Sequence, residues 1–136
     1  MSTLSENMAQ RALVAIFALN AVAAAAAAIV LALAPDAIPS VAGIAIDRSQ
    51  DLMPHLLAAA ELAIAALAAL AIRSPSTEVK RVVVIVLIIF HAGSAVAGIV
   101  AVTQGAGVVV TLNVAARLML IAALAVCAPV RRVGSL

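Results

Sequence analysis

From Ala12 to Leu33, and again from Val82 to Val102, the chain carries no Asp, Glu, Lys or Arg; a third apolar run, Met53 to Ile72, carries only Glu61. These runs constrain the fold more than any other feature, because about 20 helical residues at 1.5 Å each cross the ~30 Å hydrocarbon core of a bilayer. The β-branched opening of the third run, Val82-Val-Val-Ile-Val86, reads locally as a strand. Length decides for helix, and an open strand in lipid would leave its backbone N–H and C=O groups unpaired. Across all 136 residues 67% are hydrophobic and 10% charged, against about half and a quarter in soluble domains. That much apolar surface cannot be hidden in a water-soluble core.

The expected fold is all-α: an integral membrane antiparallel four-helix bundle, one transmembrane domain over residues 1–136. The first span, 12–33, stops at Ala34-Pro35-Asp36. The second, 53–72, is opened by Asp51 as cap with Pro54 in its first turn, and closed by Arg73-Ser-Pro75. The third, 82–102, follows Glu78-Val-Lys-Arg81 and ends at Gln104-Gly-Ala-Gly107. The fourth, 108–128, reaches spanning length only with Arg117 inside it, and ends at Pro129 and Arg131-Arg132. Polar residues from Ser2 to Arg11 precede the first run, which is too long for the apolar core of a signal peptide, so it reads as a true span.

Orientation follows from the basic residues at the span ends. Arg11, Arg73, Lys80, Arg81, Arg131 and Arg132 fall on one side and Arg48 alone on the other, which puts both termini in the cytoplasm and the 35–52 loop outside. The location expected is the bacterial cytoplasmic (inner) membrane, multi-pass. The loop, with Ile38, Val41, Ile44 and Ile46, is too apolar for a solvated linker and too short to cross, so it is expected to cap the bundle at the outer interface. With two Phe and no Trp or Tyr, no aromatic belt sets the depth of the helices, and charges do so instead.

Several function classes drop out. The net charge of +2 sits at span ends rather than in a basic stripe with aromatics, so nucleic acid is not an expected partner. The single Cys127 permits no intrachain disulfide and no thiol pair for a metal, and reads as a small buried hydrophobe. His55 stands near the outer start of the second span, away from His91, so a bis-histidine haem is not expected, nor any other cofactor or metal.

What remains is a polar layer. Counted from the outer end of each helix at 1.5 Å per residue, Glu61 lies at about 12 Å, Arg117 at about 13 Å, His91 at about 16 Å and Asn20 at about 20 Å. Asn113 shares a helix face with Arg117, four residues on, and Ser94 with His91, three residues back. An unpaired charge at that depth costs several kcal/mol, roughly, so Glu61 and Arg117 are expected to face inward and pair. Read structurally, the layer fixes which helix faces point inward. Read functionally, Glu61 or His91 is the acid or base, Arg117 orients or stabilises an anion, and Asn20, Ser94 and Asn113 bind. Both readings stay open on the sequence.

The layout resembles the DoxX-like group of small bacterial four-helix membrane proteins. The likeness rests on Glu61 in Leu-Leu-Ala-Ala-Ala-Glu-Leu-Ala-Ile, His91 in Ile-Phe-His-Ala-Gly-Ser, Asn113 with Arg117 in Leu-Asn-Val-Ala-Ala-Arg-Leu, and the apolar outer loop. It implies a class, often membrane subunits of oxidoreductase systems, and no particular reaction. Three functions are therefore carried forward in this order. The first is an accessory or scaffold subunit of a larger membrane complex, or a homo-oligomer, with Gly93 to Gly98 as a surface for partner helices. The second is an enzyme or binding protein for a lipophilic small molecule. The third is a proton-coupled transporter using Glu61. A cavity among Asn20, Glu61, His91, Asn113 and Arg117 is what separates the second from the others; a packed interior would exclude it.

Overall fold

The computed structural model describes residues 2–41, 43, 45, 47 and 51–129. Among these residues the regular structure is entirely helical: α1 (Ser2–Leu33), α2 (Ala37–Val41), α3 (Leu52–Arg73), α4 (Thr77–Thr103) and α5 (Val108–Cys127). All but α2 are long and apolar enough to cross a membrane. Large apolar side chains also stand on their outer surfaces, with Leu33 82% and Val126 84% exposed. Long helices that are apolar outside as well as inside point to a multi-pass membrane protein, since helices satisfy their backbone groups internally.

The helix ends follow local chemistry, with four differences from the sequence reading, the first being that α1 begins at Ser2 rather than Ala12. α4 begins at Thr77 rather than Val82, because Ser76 caps it: its Oγ accepts from Val79 N–H at 3.3 Å. The charged Glu78, Lys80 and Arg81 are thus helical, and Lys80 is buried against the bundle along its apolar stem. Asp51 holds the cap position of α3 but its side chain caps nothing; instead its carbonyl accepts from His55 Nδ1 at 2.6 Å and from His55 N–H at 3.3 Å. The connection from α1 to α3 contains α2, closed by Ser40 N–H to Asp36 O at 2.8 Å and Ser40 Oγ–H to Ala37 O at 3.0 Å. Between α4 and α5 the chain turns at Gly105, whose φ of +96° favours glycine. Arg48, Arg131 and Arg132, which enter the charge count, lie outside the described residues, as do Ile44 and Ile46 of the loop.

α1 packs along α3 and α4 along α5, and the two pairs meet more sparingly at α1–α5 and α3–α4. The buried faces of α1 and α3 are rich in alanine, including Ala24, Ala28, Ala58, Ala65 and Ala68. Small side chains let helix backbones approach, which is how packing replaces the hydrophobic effect in lipid. Gly98 does the same between α4 and α5: a Cβ there would stand 2.5 Å from Val114 Cγ2. A core of Leu13, Phe17, Val84, Leu87 and Leu124 joins the first halves of α1 and α4 to the end of α5. α5 itself buries only Val114 and Leu124. The sparse α1–α5 seam is where the functional groups are found.

Candidate functional site

Arg117 organises the cluster from the middle of α5. Its Nε–H donates to Asn113 Oδ1 at 2.7 Å, one helical turn back, as the four-residue spacing allows. Nη1–H donates to His91 Nδ1 on α4 at 3.2 Å. Nη2 stands 4.0 Å from Glu61 Oε1 on α3, and the guanidinium carbon lies 5.7 Å from the centroid of the Phe90 ring, within cation–π range. The pairing of Glu61 with Arg117 is therefore present but long. The guanidinium's hydrogen bonds go to the histidine and the asparagine, and among the described residues the Glu61 carboxylate accepts none.

The guanidinium fixes the hydrogens of its neighbours. Arginine only donates, so His91 Nδ1 presents its lone pair to Nη1 and the ring proton resides on Nε2. Nε2–H then donates to Asn20 at 2.8 Å, and the atom it meets is the amide oxygen Oδ1. That leaves the Asn20 amino group, Nδ2, buried with no partner. Asn20 is 5% exposed, and an unmet donor at such a site carries a desolvation penalty of about 1–3 kcal/mol. The network thus engages both ring nitrogens of His91 and two of the five N–H groups of Arg117, and is incomplete at Asn20 and Glu61.

The residues that carry these two groups, Asn20 and Glu61, both contribute to the lining of one cavity of about 600 Å³ on the α1–α5 seam. Ala23 and Ala27 of α1 face Ala116 and Ala123 of α5 across it, small side chains that leave the slot empty, while Leu19 and Met119 stand two-thirds exposed at its mouth. Asn20, Glu61, His91, Asn113 and Arg117 all contribute to its lining. A second cavity of about 460 Å³ lies under α2, lined by Ile38 and Val41 and by Val109 and Val110 of α5. Asn113 and Arg117 line both, so this pair stands where the two hollows meet.

Of the residues singled out in the sequence, these five come together. Ser94 does not: it is half-buried on α4 and is not part of the cavity lining. His55 bonds to the start of its own helix, and Cys127 is a half-buried neighbour of the core. Among the described residues no three His, Cys, Asp or Glu side chains are grouped to hold a metal ion. Phe90 was not singled out. Its ring meets Arg117 and sits edge-on to His91, with centroids 5.4 Å apart, although adjacent helical residues ordinarily diverge. Comparison with models of protein families, with curated proteins and with solved structures finds no match.

Chemically the site is a set of fixed donors and one carboxylate, ion-paired at 4.0 Å but accepting no hydrogen bond, beside an open apolar slot. His91 has both ring nitrogens engaged, so it can neither ligate a metal nor take a proton without breaking a bond to Arg117 or Asn20. Glu61 is the group with capacity to spare.

Proposed function

We propose that this is a multi-pass protein of the bacterial cytoplasmic (inner) membrane that binds a lipophilic small molecule in the α1–α5 cleft. The observation that carries the reading is the placement of Asn20, Glu61 and Arg117 on the wall of a cleft open at the side of the bundle. Acyl chains offer no hydrogen bonds, so polar groups at membrane depth are stable only facing protein, water or a polar ligand. A slot of this size, mostly apolar with a few polar groups, has the character of a small-molecule site. If the bound molecule is transformed, Glu61 is the proton-exchanging group and Arg117 the fixed charge.

The fold proposed is an antiparallel bundle with both termini cytoplasmic. Its support is the core that gathers the first halves of α1 and α4 with the end of α5, the product of an up-down-up-down path, and the basic residues Arg11, Arg73, Lys80 and Arg81 at that same end. The likeness to the DoxX-like group belongs to the same proposal and rests on the quoted motifs. A transporter is less well supported: Phe17, Leu87 and Leu124, each fully buried, fill the bundle between the polar layer and that end. An accessory-subunit role is the second reading, favoured by Gly93, where an added Cβ would meet nothing within 4 Å, leaving room for a partner helix.

The test is native mass spectrometry of protein released gently from its own membrane, wild type against Glu61→Gln. A lipophilic molecule carried by the wild type and diminished in the variant is the expected result. Wild-type protein that carries no such molecule and retains partner chains would overturn binding in favour of the subunit role.

A further inference from the structure

Resting on the binding reading above, we infer that the cleft's ligand is a neutral, long-chain lipid whose head group is a hydroxyl. The polar wall has one buried unpaired donor, Asn20 Nδ2, and one carboxylate that accepts no hydrogen bond, Glu61, on neighbouring helices around the same cavity. A hydroxyl oxygen accepts one hydrogen bond and its proton makes another, so one such group satisfies both residues at once. An ether or ketone can accept a hydrogen bond but has no proton for Glu61.

Charge excludes the two ionic alternatives. The single cation lining the cavity, Arg117, is already opposed by Glu61 across 4.0 Å, and donates to Asn113 through Nε and to His91 through Nη1. A carboxylate or phosphate head would add a second negative charge beside Glu61 with no further cation lining the cavity, and an ammonium head would have to displace Arg117. The tail has an evident place: the slot between Ala23 and Ala27 on one side and Ala116 and Ala123 on the other. Its mouth at Leu19 and Met119 faces outward from the bundle, the side from which a membrane-dissolved chain arrives.

The experiment is photolabelling of the full chain in phospholipid vesicles with four diazirine probes of equal chain length: the alcohol, its methyl ether, the alkane and the carboxylic acid. Sites of attachment are mapped by peptide sequencing. Enrichment at the α1 and α5 slot is expected in the order alcohol, ether, alkane, with the alcohol about tenfold above the alkane, the scale of two hydrogen bonds made away from water. Asn20→Leu has no donor to give, and is expected to bring the ether down toward the alkane. Equal labelling of the slot by all four probes, or the acid ahead of the alcohol, would overturn the hydroxyl assignment while leaving the cleft a binding site. Labelling spread evenly around the outer faces of the helices, with no enrichment at the slot, would instead bring down the binding reading itself. The wild-type comparison stands even where the variant misfolds.

Discussion

Arg117 holds three side chains on three other positions of the bundle, and its removal strands all of them. Arg117→Met leaves Glu61 as an uncompensated carboxylate that is largely buried. Loss of one partner of a buried pair costs about 3–5 kcal/mol; with the guanidinium side chain 21% exposed the expected loss is about 2 kcal/mol. The double variant Glu61→Gln/Arg117→Met is expected to regain about half of it, because the carboxylate no longer needs a counter-charge. Reversible unfolding in mixed micelles measures both, and equal stability of the Arg117→Met single and the double variant would show that the carboxylate needs no counter-charge. A second consequence of the arginine is the histidine tautomer. Nitrogen-15 NMR of His91 is expected to show the proton on Nε2 and a bare Nδ1 that accepts from Arg117; a proton on Nδ1 would undo the assignment of the Asn20 amide and its free donor.

Within α1, α3 and α4, the polar residue of the span marks the inner face, whereas on α5 Asn113 is exposed and Arg117 half-buried. From Asn20, steps of three and four residues reach Leu13, Phe17, Ala24, Ala28 and Leu31; from Glu61 they reach Pro54, Ala58, Ile64, Ala65 and Ala68; from His91, Leu87, Val84 and Ala95. All of these are buried. Such a stripe was legible in the sequence because a polar side chain is costly toward lipid, whereas apolar residues carry no such signal when both sides of a helix are apolar. That difference also explains what was not legible. The spans at 53–72 and 108–128 agree with α3 and α5 to within a residue, and 12–33 shares its end with α1 at Leu33 but not its start, since α1 runs back to Ser2; Ser76, six residues before Val82, was masked as a cap by the charges between them. Pairwise packing of α1 with α3, the resulting α1–α5 seam and the place of Phe90 depend on side-chain volumes across helices, which periodicity does not encode. Ser94 shares a face with His91 by spacing, yet the seam opens on the far side of α4. The small-residue patch divides likewise: Gly98 is consumed inside the α4–α5 contact and Gly93 is not. Gly98→Ala is therefore expected to destabilise by about 1–3 kcal/mol through overpacking, and Gly93→Ala to be neutral or stabilising by up to about 1 kcal/mol from helix propensity. Unfolding in the same micelles compares them, and equal effects would contradict the close approach at Val114.

At the scale of the whole molecule, the proposed orientation makes the two cavities unequal. The one under α2 lies on the outer side, and the cleft reaches Arg117 from the bilayer; Arg117 and Asn113 are common to both. Ser40 in α2 and Ser76 before α4 are exposed and separated by α3 alone. In a Cys127→Ala background, Ser40→Cys is expected to react with a membrane-impermeant maleimide added to intact cells, and Ser76→Cys only after the membrane is opened. Opposite reactivity of the two positions tests whether α3 spans; which of them reacts first tests the direction assigned from Arg11, Arg73, Lys80 and Arg81. Reaction of both from one side would mean that α3 does not cross, and the polar layer would lose its common depth. Reaction with the sides exchanged would keep the bundle and the cleft but place the Ile38 and Val41 cavity in the cytoplasm, so that the water-facing approach to Arg117 would lie inside the cell while the lipid-facing approach through Leu19 and Met119 remained unchanged. The lateral cleft is thus the part of the proposal that survives inversion, since it depends on the α1–α5 seam and not on which end of the bundle is outside.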